Sequence, residues 1–200
     1  MIKFIHAADL HLDTPFTGFK HLPESWKTRL KEAPYHALKQ IVKTAISEKV
    51  DFVIFSGDIY DQETRGFKAQ IEFQNACEKL GKAGVKTFVI FGNHDFSNQS
   101  LIDLNLPDSV YVFPQKVTTT YFETSSLEKV ALTGFSFWAR HIHTPVIEEF
   151  PYRDINVDYH IGVYHGQIGK TGDPYAPFQV KDMQRKQYDY WALGHIHQFQ

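Results

Sequence analysis

The sequence predicts an α/β fold of two packed β-sheets flanked by helices. Three observations lead there. In the first half, short apolar, β-branched runs alternate with amphipathic stretches, the pattern of crossover units and a mostly parallel sheet. In the second half, strand-like runs follow one another with little helical pattern between them, which predicts a second, more antiparallel sheet. Finally, 200 residues, 42% hydrophobic and 22% charged, fit one domain with a substantial core.

The elements follow in order. "IKFIHA" (2–7) reads as a short strand. "ESWKTRLKEAPYHALKQIVKTAISEKV" (24–50) reads as mostly helical: Leu38, Ile41, Val42, Ala45 and Ile46 fall at spacings of three and four on one face. Pro34 is expected in the first turn of the longer helix or at a kink. "DFVIFSGD" (51–58) is a buried strand ending in glycine. "FKAQIEFQNACEKLGKAG" (67–84) is a second amphipathic helix, stopped by Gly81 and Gly84. "VKTFVIFGN" (85–93) is a third strand. Beyond it, "SVYVFPQKVTTTYFET", "KVALTGFSFW", "YHIGVYHG" and "YDYWALGHIH" are strand-like, and "QVKDMQRK" has a helical pattern.

The polar residues fall at the ends of these strands. The first ends in Asp9 and His11, the second in Asp58, the third in Asn93, His94 and Asp95. A later one ends in His165 and the last in His195 and His197. Ligands of open α/β sheets collect at the carboxyl ends of the strands, so these groups are expected in one place. Residues two apart in an extended chain point the same way, so Asp9 and His11 can share a metal, as can His195 and His197. Glycines before Asp58, Asn93 and His195 let the backbone turn inward. "FVIFGNHD" therefore stops a buried strand in order to deliver Asn93 as a ligand and His94 as a catalytic group.

The net charge of −2 excludes recognition of nucleic acid by bulk basicity alone, although bound cations would add local positive charge. The single cysteine, Cys77, forms no intrachain disulfide and is expected on the inner face of the second helix. "MIKFIHAADLH" reaches polar residues too early for a signal peptide, and no apolar run approaches a membrane span, so a cytoplasmic protein is expected.

Taken together, "DLH…GD…GNHD…HG…GHIH" resembles the calcineurin-like metallophosphoesterase superfamily. "FIHAADLHLDTPF" and "FVIFSGDIYDQETRG" look closer still to the SbcD-type DNA repair exonucleases and, within them, the YhaO-like group. The resemblance runs from residue 2 to residue 197. It implies a four-layer metallophosphoesterase sandwich and two divalent ions, Mn²⁺ before Fe²⁺ or Zn²⁺. Asp9, His11 and His197 would hold one ion, Asn93, His165 and His195 the second, and Asp58 would bridge them. His94 would be the catalytic histidine and Asp95 would orient it. Such an ion pair clamps the attacking and leaving oxygens of an in-line displacement, with a metal-bridged hydroxide as nucleophile.

The resemblance implies a nuclease acting on DNA ends in repair. The alternatives are a phosphoesterase for nucleotides or other small esters, and a non-catalytic scaffold, which the complete ligand set disfavours. It also implies that residues 1–200 are the catalytic domain at the N-terminal end of a longer protein. Further strands, a DNA-contacting cap and a segment docking an SMC-like ATPase are expected beyond it. Relatives dimerise through helices near 67–84 and 98–104, so the resemblance extends to a homodimer. Arg65 is a candidate phosphate contact. Asp61, three residues after Asp58, either orients a metal ligand or sits in a turn. His6, His21, His36 and His160 are expected to be structural or surface residues. "WARHIHTP", with His141 and His143, reads as an exposed loop or a substrate-facing one, and "GKTGDPYAPF" (169–178) as a loop shaping the substrate groove.

Overall fold

The computed structural model describes residues 1–15, 21–61, 66–96 and 106–197. The first sheet holds β1 (Phe4–Ala7), β2 (Phe52–Ser56), β3 (Lys86–Ile90) and β4 (Val110–Val112) in that order, all parallel. The crossovers are α1 (Glu24–Ser47) between β1 and β2, and α2 (Phe67–Lys82) between β2 and β3. The second sheet holds β5 (Thr118–Glu123), β6 (Lys129–Gly134), β7 (Tyr159–His165) and β8 (Tyr190–Gly194) in sequence order. A short helix, α3 (Val180–Lys186), precedes β8, and a 3-10 turn spans Val146–Glu149.

Alternation along β2 explains the layering. Phe52 and Ile54 face the second sheet, in a core with Phe88, Ile90, Leu132, Ile161 and Val163. Val53 and Phe55 face the helices, in a core with Leu38, Val42, Phe73 and Leu80. A strand buried on both faces needs a continuous apolar run, and "FVIF" supplies it. Each such Phe or Ile taken fully out of water stabilises the fold by about 1.5–3 kcal/mol. A third core on the far side of the second sheet joins Phe135, Phe137, Tyr164, Phe178 and Met183. There the covering layer is thin, because α3 has only seven residues and loops do most of the covering.

Several expectations need correction. The second sheet is not the more antiparallel one expected: only β5 and β6 are antiparallel, while β6–β7 and β7–β8 are parallel. Their crossovers run through loops, the 3-10 turn and α3, so the long helical pattern that marks a parallel connection is missing from the sequence. "SVYVFPQKVTTTYFET" is not one strand but two, in different sheets, with Phe113–Val117 crossing between them. Pro34 lies in the interior of α1, beyond its first turn. Gly81 lies inside the last turn of α2; Gly84, at φ +77°, follows its end. Cys77 is buried on the inner face, as expected. Among the described residues no helix is long and apolar enough to cross a membrane.

Candidate metal centre

The carboxyl ends of β1, β2, β3, β7 and β8 meet at one edge of the two sheets, and the predicted polar residues meet with them. The local backbone differs from the extended one expected. Asp9 and His11 have φ of 54° and 45°, Asp58 49° and His195 94°. Non-glycine residues adopt this left-handed region rarely and at a cost, and they concentrate at functional sites. The turn is held from outside: the N–H of Asp9 donates to the Gly57 carbonyl (3.1 Å) and that of His11 to the Asp58 carbonyl (3.0 Å). The N–H of His195 donates to the Asp9 carboxylate at 3.0 Å, tying the end of β8 to the end of β1.

Only one of the three glycines acts as a turning point. Gly57 has φ +91°. Gly92 is needed for space instead, because a Cβ there would lie 2.3 Å from Asp58 Oδ1 and 2.7 Å from His165 Nε2.

Two groups of donors result, with Asp58 between them, and His11 also falls in a third group with Asp61 and His94. Asp9, His11 and His197 offer ligand atoms within 4.8 Å of one another, and so do Asp58, His165 and His195. Asn93 belongs with the second group: its Oδ1 lies 3.1 Å from His165 Nε2 and 2.9 Å from His195 Nδ1. Asp58 Oδ2 stands 3.3 Å from His165 Nε2 and 3.8 Å from His11 Nε2, so one carboxylate faces both groups. His11 Nε2 and His197 Nε2 are 3.2 Å apart.

The outer hydrogen bonds select the tautomers that metal binding needs. His11 Nδ1 lies 2.9 Å from Asp61 Oδ1, and His165 Nδ1 lies 2.9 Å from the Ser56 carbonyl. Both partners accept, so Nδ1 carries a hydrogen and Nε2 is the atom turned toward the centre. Burial alone would raise the Asp58 carboxyl, but the facing His165 imidazole and the N–H of His94 outweigh it and hold the group below the carboxylate range. His165 moves the opposite way: burial disfavours its charge, yet the attraction of Asp58 raises it. Burial, then repulsion from His165, pushes His195 down to about 4 and keeps it a neutral donor. A buried carboxylate facing several imidazole lone pairs suits divalent cations, and the mix of oxygen and nitrogen without thiolate suits first-row ions.

His94 stands beside these groups, its ring 5.0 Å from that of His11. Its Nδ1 donates to the Asp61 carbonyl at 3.0 Å. The orienting contact expected from Asp95 is thus supplied at the ring by Asp61. The Asp95 carboxylate instead accepts the N–H groups of Ile59 (2.6 Å), Tyr60 (3.2 Å) and Gly92 (2.6 Å), clamping the loops after β2 and β3 together. Asp61 therefore does more than fill a turn: its carboxylate orients His11 and its carbonyl orients His94. A backbone carbonyl such as that of Ser56 leaves no mark in a sequence.

Arg65 lies outside the described residues, as do 98–104. His6 is structural, bonded to Ser56 Oγ (2.7 Å) and Tyr190 OH (3.1 Å), and so is buried His160, bonded to Thr133 Oγ1 (2.8 Å). His141 is not remote from the centre. Its ring lies 5.6 Å from that of Tyr175, in the 169–178 loop, and the Tyr175 ring lies 4.6 Å from that of His195.

A family model described as calcineurin-like phosphoesterase matches residues 2–199. A Bacillus subtilis protein described as the uncharacterized metallophosphoesterase YhaO is 38% identical over 202 residues, covering 100% of this chain and 49% of that protein. The DNA double-strand break repair protein Mre11 of Thermoplasma acidophilum is 28% identical over 178 residues, 82% of this chain and 46% of that protein. A dimetal phosphatase from Danio rerio superposes with a TM-score of 0.41 at 19% identity, over 66% of this chain and 43% of that one. The chain thus spans about half the length of the curated relatives it matches.

Proposed function

The chain belongs to the calcineurin-like phosphoesterase family, hydrolases whose membership implies a dinuclear divalent-metal site, and on that premise we propose that it cleaves phosphodiester bonds in DNA. The observation that carries this reading is the Asp58 carboxylate, which faces Asp9, His11 and His197 on one side and Asn93, His165 and His195 on the other. Similarity to proteins described as DNA double-strand break repair proteins supports DNA as the substrate. The proposed ions are Mn²⁺, with Fe²⁺ or Zn²⁺ as substitutes, and the proposed setting is repair at duplex ends in the cytoplasm. We treat the chain as the catalytic core of a longer protein, with an SMC-like ATPase and a second copy as proposed partners of the whole.

When bound, the two ions would supply a Lewis-acid clamp on the attacking and leaving oxygens. The chain's own residues do the rest. Asp58 keeps its negative charge despite burial, because His165 and the N–H of His94 stabilise it. The hydrogen bonds to Asp61 and Ser56 hold the His11 and His165 rings with Nε2 inward. With Nδ1 of His94 committed to the Asp61 carbonyl, its Nε2 is the atom that carries a proton to the leaving alkoxide.

The test is a Mn²⁺-dependent assay of linear duplex DNA beside an aryl phosphodiester. Cleavage of both supports the reading. Cleavage of the aryl ester alone would move the substrate to small phosphate esters, and inactivity on both with Mn²⁺ bound would remove the catalytic reading.

A further inference from the structure

Two loops that contribute no candidate ligand are bonded to each other and reach the centre through Tyr175, whose ring lies 4.6 Å from that of His195. Resting on the nuclease reading, we propose that His141 and His143 form a shelf on which the nucleobase next to the scissile phosphate stacks. They would be specificity-determining residues, favouring a polynucleotide over a small phosphodiester.

The shelf is rigidly built. Ile142 pairs with Tyr175 in a parallel bridge. The N–H of Ile142 donates to the Pro174 carbonyl at 2.8 Å, and the N–H of Ala176 returns to the Ile142 carbonyl at 2.7 Å. The N–H of Gly172 donates to the His143 carbonyl, and His143 Nδ1 donates to the Gly172 carbonyl, both at 2.9 Å. Ile142 and Ala176 are buried in the outer core, which fixes the register. In an extended segment the neighbours of an inward residue both point outward. His141 and His143 are accordingly exposed, with ring centroids 6.1 Å apart.

The rings also lead to the centre. His195 contacts Tyr175 at 4.6 Å, and Tyr175 contacts His141 at 5.6 Å. His141 therefore stands two ring contacts out from a candidate metal ligand. Among the described residues neither shelf histidine pairs with a carboxylate, and none completes a metal site with them. Aromatic side chains at the edge of a phosphate-cleaving site bind bases through ring faces, largely regardless of sequence. The His143 ring, held by the Gly172 carbonyl, and the His141 ring, packed against those of His143 and Tyr175, lose little freedom when a base arrives. An aryl diester carries no nucleobase, so it serves as the reference for the metal chemistry alone.

The test compares kcat/KM for a single-stranded oligonucleotide with that for bis(p-nitrophenyl) phosphate, both with Mn²⁺. Their ratio does not depend on the fraction of active protein. His141→Ala combined with His143→Ala should lower the ratio on the order of tenfold, the usual scale for losing one stacked base. An oligonucleotide made abasic at the positions flanking the cleaved bond should show no further loss in the variant. His141→Phe, which keeps a ring, should hold the wild-type ratio where His141→Ala alone lowers it. An unchanged ratio, or the same loss on the abasic strand, overturns the shelf and leaves the nuclease reading standing. A wild-type protein that cleaves the aryl diester but neither the oligonucleotide nor linear duplex DNA ends both.

Discussion

Nδ1 of His11 lies 2.9 Å from Oδ1 of Asp61, so the carboxylate three residues beyond Asp58 sets the tautomer of a candidate ligand. Removing such an outer partner typically costs about 10–100-fold in metal affinity or activity. Asp61→Ala should weaken one ion by that order and leave the other nearly unchanged, since His165 takes its orientation from the Ser56 carbonyl. Mn²⁺ titration by calorimetry reads this directly. Equal weakening of both ions would show that Asp61 acts on the whole centre and not on His11.

His94→Ala should retain both ions and lose most activity, about 10²–10⁴-fold, the usual contribution of a positioned general acid. Among the described residues His94 falls in a donor group with His11 and Asp61, but its Nδ1 is taken up by the Asp61 carbonyl and it joins neither the group of Asp9 and His197 nor that of Asp58, His165 and His195, which motivates the separation. Metal analysis of the purified variant alongside its turnover number decides. A collapse in metal content would make His94 a ligand.

Gly92→Ala should be disproportionately damaging for one added methyl group. Its Cβ would press on Asp58 Oδ1, His165 Nε2 and the Asp58 backbone nitrogen, all under 3 Å away. Overpacking of this kind costs about 1–3 kcal/mol. The protein should still fold, with a lower melting temperature, and bind fewer than two ions per chain. Full binding of two ions at wild-type affinity would contradict the crowding argument.

Stability should be lost as the pH is lowered through the titration of His160. Burial pushes its imidazole down to about 4, with Arg153 adding to that effect and Asp154 and Asp189 opposing it. Its Nδ1 accepts the N–H of Asp154 at 2.9 Å, a bond that protonation removes. Between the ordinary value of 6.5 and the folded value, the unfolded chain holds more protons, so stability rises with pH. It is complete above 6.5 and lost as pH falls through the folded value near 4. Each kcal/mol of this linkage moves the melting midpoint of a domain this size by about 2–4 °C. Thermal melts from neutral to acid pH should show a shallower decline for His160→Asn, which keeps an acceptor without the titration. Parallel curves would assign the acid sensitivity elsewhere.

Much of the centre was legible because its signals are local. "FVIFSGD" and "FVIFGNHD" each state burial on both faces of a strand, a stop and a set of donors, all within eight residues. Asp9 and His11 lie together as their spacing implies, but not through an extended backbone. Both turn through the left-handed region, and nothing in "ADLHLD" announces that without the carbonyls of Gly57 and Asp58 that hold it. Asp95 was expected to orient His94, yet Asp61 does so at the ring, because the choice depends on which loop folds over which.

By itself the sequence determined the α/β class, the first three strands of the first sheet and the meeting of seven donors at strand ends. Periodicity and punctuation record which faces are buried and where each strand stops. The tertiary structure alone decided that β4 and β5 belong to different sheets, that the second sheet is mostly parallel, and that His141 stands beside the centre. The physical reason is that strand partners, left-handed turns and hydrogen bonds to backbone carbonyls are set between segments far apart in the chain. A backbone carbonyl is the same group whatever residue carries it, so its partner is chosen by packing.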